Sequence, residues 1–429
     1  MNCRQIRGSA QNEAGDTVLV VGIVLGMTAS VYLLIAGYGV VRRVLSQRQI
    51  DLRSADLLSA RLRTALVEQA DQEQGRLHWN GLRKFLVDRK VSESHDTISF
   101  YLKPHDSKAL PLFHAGQFLT FRLHAPGEER AVVRCYSLSS GPDSETYRIT
   151  VKKVQNGVAS QFLHDCVKVG DLLDVMAPRG DFCIEPSHSR PTVLLAGGVG
   201  ITPLLSMAYS LTSFGSVAET WLLYSVRAAQ DFLLTDELQA LTEDHQNLHV
   251  RVGTSGPQSD TGACDFQGRI SVDYLKQILP SNNYDFYICG PASMMKSLVT
   301  DLRKWGVPPA SIHTEAFGAS SVQVVSAAMK NGTEVDGPDS RNAATGITVN
   351  FVKSAKSGTW MGGTPNLLSY AESLDISIDA GCRAGSCGSC VTAIRSGCVK
   401  YLETPGYSCD DNTCLPCVAV PDGQLELDA

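Results

Sequence analysis

The densest group of reactive side chains lies near the C-terminus, where seven of the chain's 13 cysteines fall between Cys382 and Cys417. Three of these thiols, Cys382, Cys387 and Cys390, have the spacing C-x4-C-x2-C in the segment GCRAGSCGSC. Three thiolates on one short loop, together with a distant fourth, can hold an iron-sulfur cluster. The small residues between them let the backbone approach the sulfur atoms and direct N–H groups at them. The spacing therefore predicts an iron-sulfur cluster.

Structural zinc is the alternative use of such a cysteine group, but zinc sites usually pair two C-x2-C knuckles. The segment 346–429 resembles the plant-type [2Fe-2S] ferredoxins, whose fourth ligand lies a few residues before a proline near the C-terminus. Cys417-Val-Ala-Val-Pro421 matches that pattern. The resemblance thus implies Cys417 as the fourth ligand rather than Cys414, and it leaves Cys398 and Cys409 as ordinary thiols.

The elements around the cysteine loop are expected to form an α+β domain. The sequence predicts strands over 347–352, 376–378 and 424–427 and a short helix over 365–374. This mixture agrees with the β-grasp fold that the ferredoxin resemblance implies.

A second group of chemically suggestive residues is the glycine-rich segment 192–207, TVLLAGGVGITPLLSM. It predicts a buried strand, a turn with Gly197, Gly198 and Gly200, and a helix with Thr202 as N-cap and Pro203 as the first helical residue. Free N–H groups at such a helix start can bind a phosphate. Because many α/β units use a similar turn only for packing, this motif by itself leaves both interpretations open.

Further motifs decide between those interpretations when they are taken in order. Upstream are Arg134-Cys-Tyr136-Ser137 and a Gly157-x-x-Ser160 segment; downstream are a Cys289-Gly290-Pro291 turn and a Glu315-x-Phe317 pair. Residues 76–318 therefore resemble the ferredoxin-NADP reductase superfamily. That resemblance implies an antiparallel β-barrel that binds a flavin, followed by an α/β domain that binds a nicotinamide dinucleotide.

The resemblance also implies a role for each matching residue of the flavin side. Arg134 would pair with a flavin phosphate, Tyr136 would stack on the isoalloxazine ring, and Ser137 would form a hydrogen bond near flavin N5. Gly157 and Ser160 would donate backbone and hydroxyl hydrogen bonds to the flavin phosphates. FAD is expected, with FMN as the alternative.

On the nicotinamide side, the resemblance implies a pyrophosphate site and a positioning thiol. The residues expected to hold the dinucleotide are Gly197, Gly198, Gly200, Thr202, Gly290 and Pro291. Cys289 would position the nicotinamide against the flavin, and Phe317 would cover the other face of the flavin ring. The catalytic residues implied are Ser137, Cys289 and Glu315. NADH is expected, with NADPH as the alternative.

The N-terminal segment from Thr17 to Val41 has 25 residues without a charge. As a helix it would reach about 37 Å, against a hydrocarbon core of about 30 Å, which predicts a transmembrane helix over 17–41. A buried core helix and a cleaved signal peptide are the alternatives. More arginines follow the span than precede it, which predicts an inner-membrane protein with its soluble domains in the cytoplasm. A helical stalk is expected over 42–75.

The fold class expected is therefore multidomain. It comprises the transmembrane helix and stalk, an FAD-binding β-barrel over 76–186, an NAD(P)-binding α/β domain over 187–318, a linker over 319–345, and a [2Fe-2S] domain over 346–429. With 43% hydrophobic residues the chain is not disordered as a whole. The formal net charge of -6 argues against a nucleic-acid partner held by bulk charge.

The three cofactor sites together predict an electron-transfer enzyme. A nicotinamide delivers two electrons as a hydride, a [2Fe-2S] cluster takes one at a time, and a flavin can link the two. We therefore expect a membrane-anchored NAD(P)H-dependent reductase that resembles the reductase components of oxygenases and the hybrid-cluster-protein reductases. Its protein acceptor would be an oxygenase, a desaturase or a hybrid-cluster protein. The alternatives are a non-catalytic redox sensor or scaffold, and a quinone-reducing subunit of a membrane respiratory complex.

Overall fold

The structure is a computed structural model that describes residues 27, 37, 38, 42, 79, 81–142, 145–185, 188–213, 218–256, 264–317, 346–402, 405, 407 and 409–429. Within these residues, no helix has both the length and the apolar character needed to cross a membrane. The transmembrane helix expected over 17–41 and the stalk over 42–75 lie outside the described residues, apart from four isolated positions. The linker over 319–345 also lies outside them.

The first domain is an antiparallel β-barrel with the strand order β4-β3-β6-β1-β2-β5. Its strands are β1 Arg83–Ser94, β2 Thr97–Pro104, β3 Phe118–Leu123, β4 Val132–Ser137, β5 Tyr147–Lys152 and β6 Leu172–Arg179, and helix α1 is Val158–Asp165. An antiparallel bridge from Leu138 to Ile149 joins the end of β4 to β5 and closes the barrel. Alternate strand residues such as Phe85, Phe121 and Val175 fill its interior.

The second domain is a parallel sheet with the strand order β10-β9-β8-β7-β11-β12. Its strands are β7 Thr192–Gly197, β8 Thr220–Val226, β9 Leu248–Thr254, β10 Phe266–Gln267, β11 Asp285–Cys289 and β12 Ile312–Glu315. Its helices are α2 Ile201–Ser213, α3 Thr235–Asp244, α4 Val272–Ile278 and α5 Ala292–Lys304. Every residue of β7, β8 and β11 is buried, as expected for strands with helices on both faces of the sheet.

The C-terminal domain has the strand order β14-β13-β19-β15-β17 in one sheet and pairs β16 with β18 in another. Its strands are β13 Ile347–Phe351, β14 Lys356–Trp360, β15 Thr392–Ser396, β16 Val399–Tyr401, β17 Thr413–Cys414, β18 Ala419–Pro421 and β19 Leu425–Leu427, and helix α6 is Leu367–Ser373. Leu367, Tyr370 and Ala371 of α6 pack on the larger sheet. The cysteine loop lies between α6 and β15.

The strand expected over 376–378 does not form. Asp375 has the left-handed φ of 51°, and its N–H bonds to the Glu372 carbonyl while the N–H of Ile376 bonds to that of Ala371. This pair of hydrogen bonds is a Schellman motif that ends helix α6. Ile376 is then buried as the hydrophobic residue after the helix cap rather than as part of a strand.

Candidate functional site

The two turns predicted to bind the nicotinamide lie side by side in the second domain. Strands β7 and β11 are neighbours, with Ala196 opposite Cys289. A Cβ added to Gly200 would lie 2.2 Å from the carbonyl oxygen of Cys289, so only glycine fits there. The sheet order reverses at β7, because β8 lies on one side of it and β11 on the other. In open α/β sheets, ligands bind at the carboxyl ends of strands where the order reverses.

The helix that follows the glycine turn begins earlier than predicted. A 3-10 turn over Gly198–Gly200 runs directly into α2, which starts at Ile201. Thr202 is therefore inside the first turn and is not the N-cap. Its hydroxyl donates to the Val199 carbonyl oxygen at 3.0 Å instead of accepting a backbone N–H. The N–H groups at the start of the helix, without an intrahelical partner, remain the donors for a phosphate.

The three residues predicted as catalytic come together from different strands and two domains. Ser137, at the end of β4 in the barrel, donates a hydrogen bond of 3.2 Å from Oγ to Oε2 of Glu315, at the end of β12. Glu315 in turn lies opposite Cys289 in the pairing of β12 with β11. The three side chains thus surround the place where the barrel meets the carboxyl end of the parallel sheet.

Burial controls the protonation of two of these residues. It raises the pKa of Glu315 to about 8, although the hydrogen bond from Ser137 opposes the shift. Burial also raises the pKa of Cys289 well above the usual value for a thiol. At neutral pH both groups therefore carry their protons. A neutral thiol is a poor nucleophile, which supports a positioning role for Cys289.

Strand β4 presents two of the three predicted flavin contacts, Arg134 and Tyr136, on one face. Side chains alternate along a strand, so Arg134 and Tyr136 share a face and Cys135 and Ser137 share the opposite one. Arg134 is exposed, and its Nη1 donates to the Val133 carbonyl oxygen at 2.7 Å. Tyr136 packs edge-on against Phe121, and burial raises its pKa. A guanidinium and an aromatic ring on one face suit a flavin phosphate and ring.

The segment expected to meet the flavin phosphates forms the start of α1. Gly157 is the residue that precedes this helix. The hydroxyl of Ser160 donates to the Gly157 carbonyl oxygen at 3.0 Å and accepts the N–H of Val154 at 3.1 Å. Its proton is therefore used within the loop, and its predicted bond to a phosphate stays a prediction. Phe317, two residues after Glu315, is 38% exposed, and its contact with the flavin also stays a prediction.

The four cysteines predicted as cluster ligands stand in two pairs. Cys390 donates from Sγ to Sγ of Cys417 at 3.3 Å, and both thiols are buried in one small core. Cys382 and Cys387 form the second pair, because the backbone N–H of each is 3.3 Å from the sulfur of the other. The N–H groups of Ala384 and Ser386 also point at the sulfur of Cys382.

The comparisons with known proteins agree with this arrangement. Three domain families match in succession: an oxidoreductase FAD-binding domain over 84–184, an oxidoreductase NAD-binding domain over 194–300 and a 2Fe-2S iron-sulfur cluster binding domain over 360–422. Phthalate dioxygenase reductase is 26% identical with a TM-score of 0.51; the match covers 81% of this chain and 98% of that one. The chain belongs to the ferredoxin-NADP reductase-like oxidoreductases that carry a C-terminal [2Fe-2S] domain.

Other relatives match a smaller share of the chain. The FAD- and NAD-binding domain of the nitric oxide dioxygenase of Vibrio cholerae is 33% identical with a TM-score of 0.51, and the match covers 56% of this chain and all of that one. The flavohemoprotein of Halalkalibacterium halodurans is 36% identical over 262 residues, which are 59% of this chain and 63% of that protein. The chain thus spans less than two thirds of the flavohemoproteins that it matches.

The cysteine geometry of this reductase-like chain fits a two-iron cluster. A [2Fe-2S] cluster has four thiolate ligands shared between two irons, and the structure provides two pairs. Cys382, Cys387, Cys390 and Cys417 would therefore hold the cluster, and the directed N–H groups would stabilise its negative charge.

The structure also separates the two candidates for the fourth ligand. Cys417 lies next to Cys390, and its sulfur accepts the backbone N–H of Gly385 in the cysteine loop. Cys414 lies on β17 and packs into the larger hydrophobic core of the domain, together with Val349 and Leu425. Its side chain is therefore part of the core rather than of the cysteine loop, which supports the prediction of Cys417.

Sequence reasoning missed one residue of this site, Cys135. Its motif position lies between two expected flavin contacts, yet its side chain lies on the opposite face of β4, where its thiol faces that of Cys387 beside Gly381. Hydrogen bonds from Cys135 and Cys382 lower the pKa of Cys387. The signal in the sequence is the alternation of a β-strand, which places the middle residue of Arg134-Cys135-Tyr136 on the face opposite its neighbours. The sequence does not show that this face of β4 lies against the cysteine loop.

Proposed function

We propose that this protein is an NADH-dependent reductase that passes electrons through FAD and a [2Fe-2S] cluster to an oxygenase or another protein redox acceptor. The observation that carries the proposal is the position of β4. Ser137 of this strand contacts Glu315 on the nucleotide-binding side, and Cys135, two residues earlier, contacts the cluster ligand Cys387. The flavin motif thus lies between the nicotinamide site and the cluster site.

The protein's own residues account for binding and orientation on the nicotinamide side. The turn at Gly197–Gly200 and the turn at Cys289–Pro291 lie directly against each other, since a Cβ added to Gly290 would be 3.0 Å from the Cα of Gly197. Glu315 is protonated at pH 7, so it adds no negative charge to the buried site as electrons arrive. When bound, FAD would accept a hydride and release single electrons, as a one-electron cluster requires.

The proposed acceptor class rests on similarity over almost the whole length of one solved structure. Phthalate dioxygenase reductase is described as a modular structure for electron transfer from pyridine nucleotides to [2Fe-2S]. The match covers 98% of that structure, and this chain has its three matched domains in the order FAD-binding, NAD-binding, 2Fe-2S. By analogy, the acceptor would be the terminal component of an oxygenase system.

An anaerobic titration of the full-length protein with NADH tests the electron path. We expect flavin absorbance to bleach and a rhombic electron paramagnetic resonance signal of the reduced cluster to follow. Bleaching without the cluster signal would leave a simple flavin reductase. No reaction in flavin-loaded protein would overturn the proposal in favour of a redox sensor or scaffold.

We further propose that the uncharged segment 17–41 anchors the protein in the inner membrane, with its soluble domains in the cytoplasm. The support is the sequence alone: 25 uncharged residues followed by Arg42, Arg43, Arg48 and Arg53. Fractionation tests it. The full-length chain should stay in the membrane pellet after alkaline washing, whereas a chain that begins at residue 76 should be in the supernatant. Full-length protein in the supernatant would refute the anchor.

A further inference from the structure

We propose that Cys135 of the flavin barrel donates a hydrogen bond to the cluster ligand Cys387 and thereby shifts the reduction equilibrium of the cluster toward its reduced form. The inference rests on the proposed function only in that it requires a [2Fe-2S] cluster on Cys387. Cys135 would act through the ligand, as a positioning and tuning residue, and would not touch iron itself.

The first support is the direction of the Cys135 side chain. It lies on the face of β4 opposite Arg134 and Tyr136, so it is turned away from the residues expected to meet the flavin phosphate and ring, and it shares its face with Ser137. There its thiol faces Cys387 of the cysteine loop, since a Cβ built on Gly381 would lie within 3.3 Å of both sulfurs. The hydroxyl of Thr120 on β3 lies 3.3 Å from the sulfur of Cys135, because Thr120 is paired with it across the two strands. The thiol is therefore held between the barrel and the cysteine loop.

The second support is the close approach of the cysteine loop at Gly381. A Cβ added to this glycine would lie 3.0 Å from the sulfur of Cys135 and 3.3 Å from that of Cys387. The same backbone position therefore contacts both thiols, and glycine leaves room for the barrel to reach the loop. A second contact holds the two domains together here, since Ser386 donates to Oδ2 of Asp181 at 3.2 Å.

Chemistry decides which thiol is the donor. An iron-bound Cys387 is a thiolate and has no proton to give, so the hydrogen in this contact comes from Cys135. The Thr120 hydroxyl can then donate to the sulfur of Cys135, which gives a relay from Thr120 through Cys135 to Cys387. Hydrogen bonds to cluster sulfurs stabilise the added electron and so raise the reduction potential. Because donor and ligand belong to different domains, the bond also requires their contact.

A redox titration of the full-length, cofactor-loaded protein, followed by electron paramagnetic resonance, tests this inference. In Cys135→Ala we expect the reduction equilibrium of the cluster to shift toward the oxidised form by about three- to tenfold, the range for losing one ordinary hydrogen bond, since a thiol is a weak donor. Cys135→Ser, which keeps a donor, should restore at least half of the shift. Cys166→Ala is the matched control, because Cys166 is an exposed barrel cysteine, and it should titrate as wild type.

Three outcomes would overturn the inference: an unchanged cluster equilibrium in Cys135→Ala, an equal shift in Cys135→Ser and Cys135→Ala, or a shift confined to the flavin. If Cys135→Ala does not fold, Thr120→Val provides the test, since losing the hydroxyl should give a smaller shift in the same direction. A wild-type protein without a cluster signal would instead refute the proposed function, so the two failures are distinguishable.

Discussion

The flavin barrel contacts its two neighbouring domains in different ways. With the nucleotide-binding domain it shares a hydrophobic core, in which Phe182 and Ile184 of the barrel side pack with Leu194 and Tyr287. With the C-terminal domain its contacts are the Cys135–Cys387 hydrogen bond and polar or charged pairs such as Ser386 with Asp181 and Arg179 over the ring of Tyr407. Among the described residues, the cores of the C-terminal domain contain only that domain's own side chains.

A buried ion pair reinforces the first interface. Arg148 of β5 is only 4% exposed, and its guanidinium bonds to Glu237 of α3 and to Ser139. Glu237 also accepts the hydroxyl of Tyr209 on α2. Hydride transfer needs the reacting atoms about 3–3.5 Å apart, so a fixed domain geometry serves it. Hydride transfer would therefore depend on a shared hydrophobic core, whereas polar contacts would hold the cluster domain next to the flavin barrel.

The largest expected effect tests whether the C-terminal domain is structurally independent. Cys417→Ser should abolish the visible absorbance of the cluster, because the pair with Cys390 is lost, while NADH still bleaches the flavin. Cys414→Ser should keep the cluster, because Cys414 lies in the core. Absorbance spectra of the purified proteins are the measurement. The reverse result for the two variants would show that the ligand choice is wrong, and loss of flavin reduction would show that the domains are not independent.

The next effect is at the nicotinamide cleft. In Gly200→Ala the new Cβ would meet the Cys289 carbonyl oxygen at 2.2 Å, so the two turns must separate. A misplacement of about 1 Å can cost about 100-fold in rate, and we expect a loss of that order in stopped-flow flavin reduction by NADH. Gly363→Ala is the control, since nothing lies within 4 Å of a Cβ there. Equal rates in the two variants would contradict the close packing of the cleft.

A stability measurement compares the two interfaces directly. Glu237→Ala leaves the Arg148 cation buried without its anion, so we expect the free energy of unfolding of the barrel and nucleotide-binding domain to fall by about 3 kcal/mol. Ser386→Ala removes an exposed contact of the other interface and should cost about 0.5 kcal/mol or less. Urea unfolding followed by flavin fluorescence gives both values. If Ser386→Ala cost as much as Glu237→Ala, the contrast between the interfaces would fail.

The smallest effect concerns pH at Glu315. Its folded pKa of about 8 lies above the usual 4.5, so the unfolded chain releases this proton first as pH rises. The free energy of unfolding should then fall by about 1.4 kcal/mol per pH unit between those two values. Glu315→Gln should remove this slope between pH 6 and 7, whereas exposed Glu185→Gln should keep it. Denaturant curves at the two pH values provide the measurement, and a slope that survives in Glu315→Gln would contradict the raised pKa.

The secondary structure around the cysteine loop was predictable only in part. Strands at 347–352 and 424–427 and the helix at 365–374 form nearly as expected, since the structure has them at Ile347–Phe351, Leu425–Leu427 and Leu367–Ser373. The prediction of a strand over 376–378 was wrong because Ile376 belongs to the motif that ends helix α6. The N-cap at Thr202 was wrong because a 3-10 turn precedes the helix. Both errors concern hydrogen bonds at helix ends, which apolar patterns do not specify.

The sequence alone indicated which cofactors bind, because the cysteine spacing and the glycine-rich turns are motifs that lie within short segments of the chain. Only the tertiary structure decided which distant groups meet. Ser137 and Glu315 are 178 residues apart in the chain, and Cys390 and Cys417 are 27 apart. The contact of Cys135 with Cys387 joins two separate domains. Such contacts depend on how sheets and domains pack, and local spacing carries no information about that packing.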